Sequence, residues 1–139
     1  MKKQLLSFGV MAMLLVGASA YAQEINLKAN IPFDFIVAGK TLPAGMYNMK
    51  SVGSNQNDAV VVRGETSKDG AMVMGHRVES REAATQSKLV FRRYGHRYFL
   101  SQLWQQGDSS GNELPKSKRE AEVALDYPSE QVVLVATLR

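Results

Sequence analysis

The amino-acid sequence predicts an all-β fold: a single antiparallel β-sandwich or flattened barrel of about seven or eight strands, with one short helix before the last strand. Three observations predict it. Short apolar runs recur between turn signals about every 8 to 14 residues, the spacing of sandwich and barrel strands. Several of those runs alternate apolar and polar residues, which turns one side of each strand toward a core. The chain has 139 residues, 45% of them apolar, enough for one domain with a single core, and no cysteine, so no disulfide supports that core. Zero cysteines also exclude thiol catalysis, Cys-ligated zinc and a lipid anchor on cysteine.

Before the first strand, Lys2 and Lys3 precede an uncharged stretch from Leu5 to Ala20 that ends at the small-residue pattern Ala20-Tyr21-Ala22. This is the make-up of a secretory signal peptide, cut after Ala22 or, as the nearest alternative, after Ala20. Its apolar part is shorter than the ~20 residues a spanning helix needs, so cleavage is expected rather than anchoring. Residues 1–22 are read as the leader and 23–139 as one all-β domain. Losing Lys2 and Lys3 reduces 17 basic side chains to 15 against 13 acidic ones, so the formal charge falls from +4 to +2. The expected address is the periplasm or the extracellular space, with no transmembrane segment after cleavage. Absent aromatic girdles and a short chain oppose an eight-stranded outer-membrane barrel.

Ile25, Leu27, Ala29 and Ile31 alternate with Asn26, Lys28 and Asn30, and read as the first strand. Pro32 interrupts its ladder, and Phe33-Asp34-Phe35-Ile36-Val37 resumes an extended run. Ala38-Gly39-Lys40 and Leu42-Pro43-Ala44-Gly45 supply turns, and Met46–Val52 the next strand. A polar loop over 53–58 leads into a hairpin of Ala59–Arg63 and Met72–Val78. Residues 79–87 read as a loop, in which Arg81–Ala84 has the composition of a helical turn.

Lys88–Tyr94 and Arg97–Trp104 flank Gly95-His96, and Gly followed by one free residue suits a type II′ turn. Such a turn sets Tyr94 opposite Arg97, Arg92 opposite Phe99 and Phe91 opposite Leu100. One face then sends Leu89, Phe91, Tyr98, Leu100 and Trp104 to the core, and the other mixes Val90, Phe99 and Leu103 with Arg92, Tyr94 and Arg97. Gln105–Asn112 reads as a Gly/Ser-rich loop. Ser117-Lys118-Arg119-Glu120 fits a capping box opening a helix to about Ala124. The continuous apolar run Val132–Leu138 predicts a last strand covered on both sides, in the middle of the sheet.

The basic-aromatic hairpin is the leading candidate for a recognition surface, through Arg92, Tyr94, Arg97 and Phe99. Guanidinium and aromatic groups together stack on a sugar ring or clamp an anion. The structural alternative makes the same residues cross-strand pairs whose long stems shield a half-exposed face. Lys116, Lys118 and Arg119 form a secondary basic patch suited to anionic headgroups or wall polymers. A charge of +2 on an exported chain opposes nucleic-acid binding. Met46, Met49, Met72 and Met74 either fill core gaps or line an apolar pocket.

No cofactor, metal or catalytic residue is expected. His76 in a strand and His96 in a turn have the wrong spacing for a helical metal pair, and the carboxylates are scattered singly. Gly107-Asp108-Ser109-Ser110-Gly111 lacks the partners of a serine nucleophile, and reads as a flexible polar loop. Gly39-Lys40-Thr41 lacks both the first glycine and the following helix of a phosphate loop.

Ile31–Phe35 with Lys40–Tyr47, Leu89–Gly95 with Tyr98–Trp104, and Leu114–Ser117 together resemble small exported proteins of soil bacteria. The resemblance covers most of the chain after the leader and implies export and an all-β fold, with no activity, cofactor or catalytic residue to carry over. The functional expectation is a non-enzymatic binding or structural protein of the envelope or extracellular space, acting through its hairpin face on an anionic or sugar-like component. The alternative is a small lipocalin-like carrier of an apolar ligand, and a hydrolase comes third.

Overall fold

A computed structural model describes residues 24–53 and 57–138; the expected leader and its cleavage site lie outside the described residues. The strands are β1 (Asn26–Ile31), β2 (Phe35–Val37), β3 (Lys40–Leu42), β4 (Gly45–Val52), β5 (Asn57–Gly64), β6 (Gly70–Glu79), β7 (Lys88–Tyr94), β8 (Arg97–Trp104), β9 (Ser110–Glu113), β10 (Ser129–Val135) and β11 (Thr137–Leu138). Among the described residues one helix, α1 (Lys118–Asp126), precedes β10.

The expected preponderance of strands and the single short helix are present, but the sandwich of seven or eight antiparallel strands is not. Among the described residues eleven strands lie in one sheet, in the order β10-β7-β8-β9-β6-β5-β4-β1-β11, with the β2–β3 hairpin attached at its side. The sheet is mixed, because β2 meets β8 in parallel at Ile36 and Phe99. It is also not closed. Its two outermost strands are consecutive pieces of one run: β10 pairs with β7, β11 pairs with β1, and only Ala136 separates them. The Ala136 N–H donates to the Ser87 carbonyl at 2.8 Å, which fixes the bend.

Val132–Leu138 therefore lies at the edges of the sheet and not in its middle. Its continuous apolar character has a different origin from two-sided burial. Val132 and Leu134 pack on the core, while Val133 and Val135 are exposed on the other face.

Two further departures have local causes. Ser110–Asn112, expected within a loop, falls in β9 because partners on both sides, β6 and β8, satisfy its backbone groups. Residues 81–84 form no helical turn, since the Ala84 N–H donates to the Asp108 carbonyl and its own carbonyl accepts from Gly107.

The core fills the concave face of the curled sheet. Leu27, Phe35, Tyr47, Met49, Phe91 and Leu103 are among its largest fully buried side chains. Phe35 stands edge-on to Tyr47 at 4.9 Å and to Phe91 at 5.9 Å, within the range of favourable aromatic pairs. Tyr47 satisfies its hydroxyl by donating to the Pro43 carbonyl at 2.6 Å. Of the strand methionines, Met49 is in this core, whereas Met72 and Met74 point into solvent and line no interior cavity.

The β7–β8 hairpin has the expected register from Tyr94 opposite Arg97 to Phe91 opposite Leu100. Gly95 has φ 61° and His96 no positive φ, as a type II′ turn requires. Beyond Leu100 a bulge intervenes, and Val90 faces Gln102 instead of Ser101. One extra residue exchanges the faces of everything that follows. Leu103 consequently occupies the core place expected for Trp104, and Trp104 moves to the outer face.

The β2–β3 turn holds Ala38 at φ 52° and Gly39 at φ 75°. Alanine pays a steric penalty in that left-handed region that glycine does not. Ala38→Gly is expected to raise stability by up to about 1 kcal/mol, read as a higher denaturation midpoint at unchanged slope.

Candidate recognition site

The outward face of the β7–β8 hairpin is where the basic-aromatic residues were expected to meet solvent, and α1 covers it instead. The helix begins as the capping box predicts: the Glu120 N–H donates to the Ser117 Oγ at 3.2 Å. The Glu120 carboxylate does not fold back on the cap. It reaches down to the sheet, where its Oε1 accepts from Arg92 Nε at 2.5 Å and from the Tyr94 hydroxyl at 3.0 Å. Its Oε2 accepts from Arg92 Nη2 at 3.2 Å. Arg92 also donates to Ser101 Oγ at 2.7 Å, so one guanidinium binds the helix to both hairpin strands.

Around this ion pair lies a small apolar cluster of Ile36, Tyr94, Phe99 and Val123. The Tyr94 ring sits edge-on to Phe99 at 5.6 Å. Glu120 is 2% exposed, and the cost of burying it is offset by its hydrogen bonds with Arg92 and Tyr94. Burial, then the hydrogen bond to the Glu120 carboxylate, raises the Tyr94 hydroxyl above its ordinary value of 10.0.

Of the four expected recognition residues, Arg92, Tyr94 and Phe99 are thus gathered into a packing interface, and Arg97 alone remains exposed. Arg97 faces a cleft of about 830 Å³ between the hairpin turn and α1. Gly95, His96 and Arg97 form one wall, with the edge of Tyr94 at its base. Arg119, Glu122, Val123, Asp126 and Tyr127 form the other. The residues of this second wall recur at intervals of three and four, which places them on one side of the helix.

Arg119, expected in the secondary basic patch, lines this cleft and donates to Thr41 Oγ1 on β3 at 3.2 Å. Lys116 and Lys118 remain exposed outside it. The structure therefore joins Arg97 from one expected group with Arg119 from the other. Glu122, Asp126 and Tyr127 were not foreseen, although the helical spacing from Arg119 was a usable signal. The Tyr127 ring, 54% exposed, lies beside the turn: a Cβ on Gly95 would stand 3.6 Å from Tyr127 Cδ1.

His76 is exposed on β6, and His96 is in the turn, as expected for each. Among the described residues no three His, Cys, Asp or Glu side chains converge. Nor is any helix among them long and apolar enough to cross a membrane. The Gly39-Lys40-Thr41 segment lies in the β2–β3 hairpin, where Lys40 Nζ donates to the Gly70 carbonyl at 3.0 Å. No family model, curated protein or solved structure matches the chain.

The neutral Tyr94 hydroxyl donates to Glu120, so its contribution is complete below pH 10.0 and is lost as pH rises through its raised value. Tyr94→Phe is expected to cost about 1–2 kcal/mol at neutral pH. In urea unfolding followed between neutral pH and strongly alkaline pH, the gap between parent and variant is expected to narrow once Tyr94 ionises.

Proposed function

We propose that the chain is an exported, non-enzymatic binding protein of the periplasm or extracellular space that holds a sugar-like envelope component carrying an anionic group. The observation that carries this reading is the lining of the cleft between the β7–β8 turn and α1. Arg97 and Arg119 supply donors, Glu122 and Asp126 supply acceptors, and Tyr127 presents an aromatic face. Donors and acceptors interspersed around a ring face suit a polyhydroxylated ligand, and the two guanidiniums suit a carboxylate or phosphate on it. An apolar ligand would leave these charged groups unpaired, which weighs against the carrier reading. So does a core filled by Phe35, Tyr47, Met49 and Phe91.

Binding is favoured over hydrolysis by the setting of the two carboxylates. Glu122 and Asp126 are both exposed, without the apolar pocket that keeps one acid protonated in a glycoside hydrolase.

Calorimetric titration with acidic and neutral cell-wall saccharides tests the proposal. The acidic saccharide is expected to bind, and Arg97→Ala to weaken it about tenfold or more, the cost of a charge-assisted hydrogen bond, at an unchanged melting temperature. Tyr127→Ala is expected to weaken acidic and neutral saccharides alike. Affinities unaltered in both variants, or no binding of either saccharide, would overturn the reading.

A further inference from the structure

Where β5, β6 and β9 adjoin, the inner face carries a polar cluster that the recognition cleft does not use. Asp58 on β5 faces Gly75, and Arg77, two residues further along β6, faces Asn112 on β9. Strand periodicity therefore points Asp58, Arg77 and Asn112 to the same side. Asp108 and Ser110 precede Asn112 at intervals of two. Together with Ile25 and Gly111 these residues line a void of about 10 Å³, the space of a single water molecule or ion.

Two of the residues that line this void each carry an oxygen with no partner among the described residues. Asp58 and Asn112 are 3% and 2% exposed, yet among the described residues Oδ1 of each finds no hydrogen-bond partner. Arg77 approaches the other Asp58 oxygen, Oδ2, at 3.6 Å and leaves Oδ1 free. Two carboxylates against one guanidinium give the cluster a net charge of −1, and among the described residues Asp108 has no cationic partner within 4.0 Å. Such groups are costly to bury unless something compensates them.

We propose that Asp58, Asp108 and Asn112, with the Ser110 hydroxyl, form a binding site for a hard divalent cation, Ca²⁺. The donor set is all oxygen, with two carboxylates and an amide carbonyl, which suits Ca²⁺ and excludes softer metals that prefer nitrogen or sulfur. Mg²⁺ is disfavoured because it gives up its water shell reluctantly and the void has no room for that shell. Desolvation of Asp108, whose carboxyl burial holds above the ordinary 3.8, is the kind of penalty that a bound cation offsets. With Arg77 close by, affinity is expected in the weak range of extracellular calcium modules, a dissociation constant of about 10⁻⁴–10⁻³ M.

The only tryptophan makes the site directly observable. A Cβ on Gly111 would meet Trp104 Cδ2 at 2.7 Å, so the indole lies against the backbone that borders the void. Tb³⁺, which takes calcium sites and is sensitised by a nearby indole, is titrated into the purified chain with excitation of Trp104. The expected result is saturable luminescence that Ca²⁺ displaces at least tenfold more effectively than Mg²⁺. Asn112→Leu removes the unpartnered oxygen without leaving a gap, and is expected to keep the melting temperature while weakening Tb³⁺ at least tenfold. If that variant does not fold, Asp108→Asn carries the same expectation. Absence of saturable luminescence, equal displacement by Mg²⁺, or unaltered Tb³⁺ binding in a folded variant would overturn the proposal and leave a water molecule as the occupant.

Discussion

One buried ion pair determines what the outer surface of this protein is. Arg92 on β7 and Glu120 on α1 meet through two hydrogen bonds, with Tyr94 and Ser101 completing their coordination. Charges taken out of water are tolerated only when fully paired, and a member left alone costs about 3–5 kcal/mol. The pair therefore selects one position for a short helix that has little stability of its own. Nine residues are below the length at which an isolated helix persists in water. The ion pair gives direction, and the cluster of Ile36, Tyr94, Phe99 and Val123 gives the apolar burial that holds the helix down.

That placement generates the cleft. With Glu120 and Val123 turned to the sheet, the adjoining side of the helix, from Arg119 through Glu122 to Asp126, is left facing the hairpin turn. A two-residue turn keeps that opposite wall short, and Tyr127 comes to rest beside Gly95 as the helix ends. The proposed recognition site is thus a by-product of how the helix docks, and the hairpin residues that first suggested recognition act as its foundation. The proposed calcium site arises separately, where strands β5, β6 and β9 bring polar side chains together.

Much of the fold was legible because it rests on local rules. Alternation placed β1, turn chemistry placed the β7–β8 register, and the Ser117–Glu120 box placed the start of α1. What was not legible depends on distant partners. Nothing within Ser110–Glu113 marks a strand; its neighbours β6 and β8 make it one. The bulge after Leu100 exchanged Leu103 and Trp104, a one-residue slip that no pattern of alternation can show. The run Val132–Leu138 looked doubly buried because an edge strand that bends through Ala136 carries apolar side chains on both faces regardless. For the site, residue type alone could not tell an arginine that binds a ligand from one that binds a helix. Arg92 and Arg97 lie five residues apart on one hairpin, and a carboxylate 28 residues further on decides between them.

The most direct measurement of this account is a double-mutant cycle at the ion pair, with Arg92→Leu, Glu120→Leu and the two combined, followed by denaturant unfolding. Arg92→Leu strands the buried Glu120 carboxylate and is predicted to cost about 3–5 kcal/mol, Glu120→Leu leaves the part-buried Arg92 with Ser101 and is predicted to cost less, and the double variant regains most of the larger loss. Single losses below about 1 kcal/mol that simply add in the double variant would mean that α1 is not locked to the hairpin through this pair, contradicting the account.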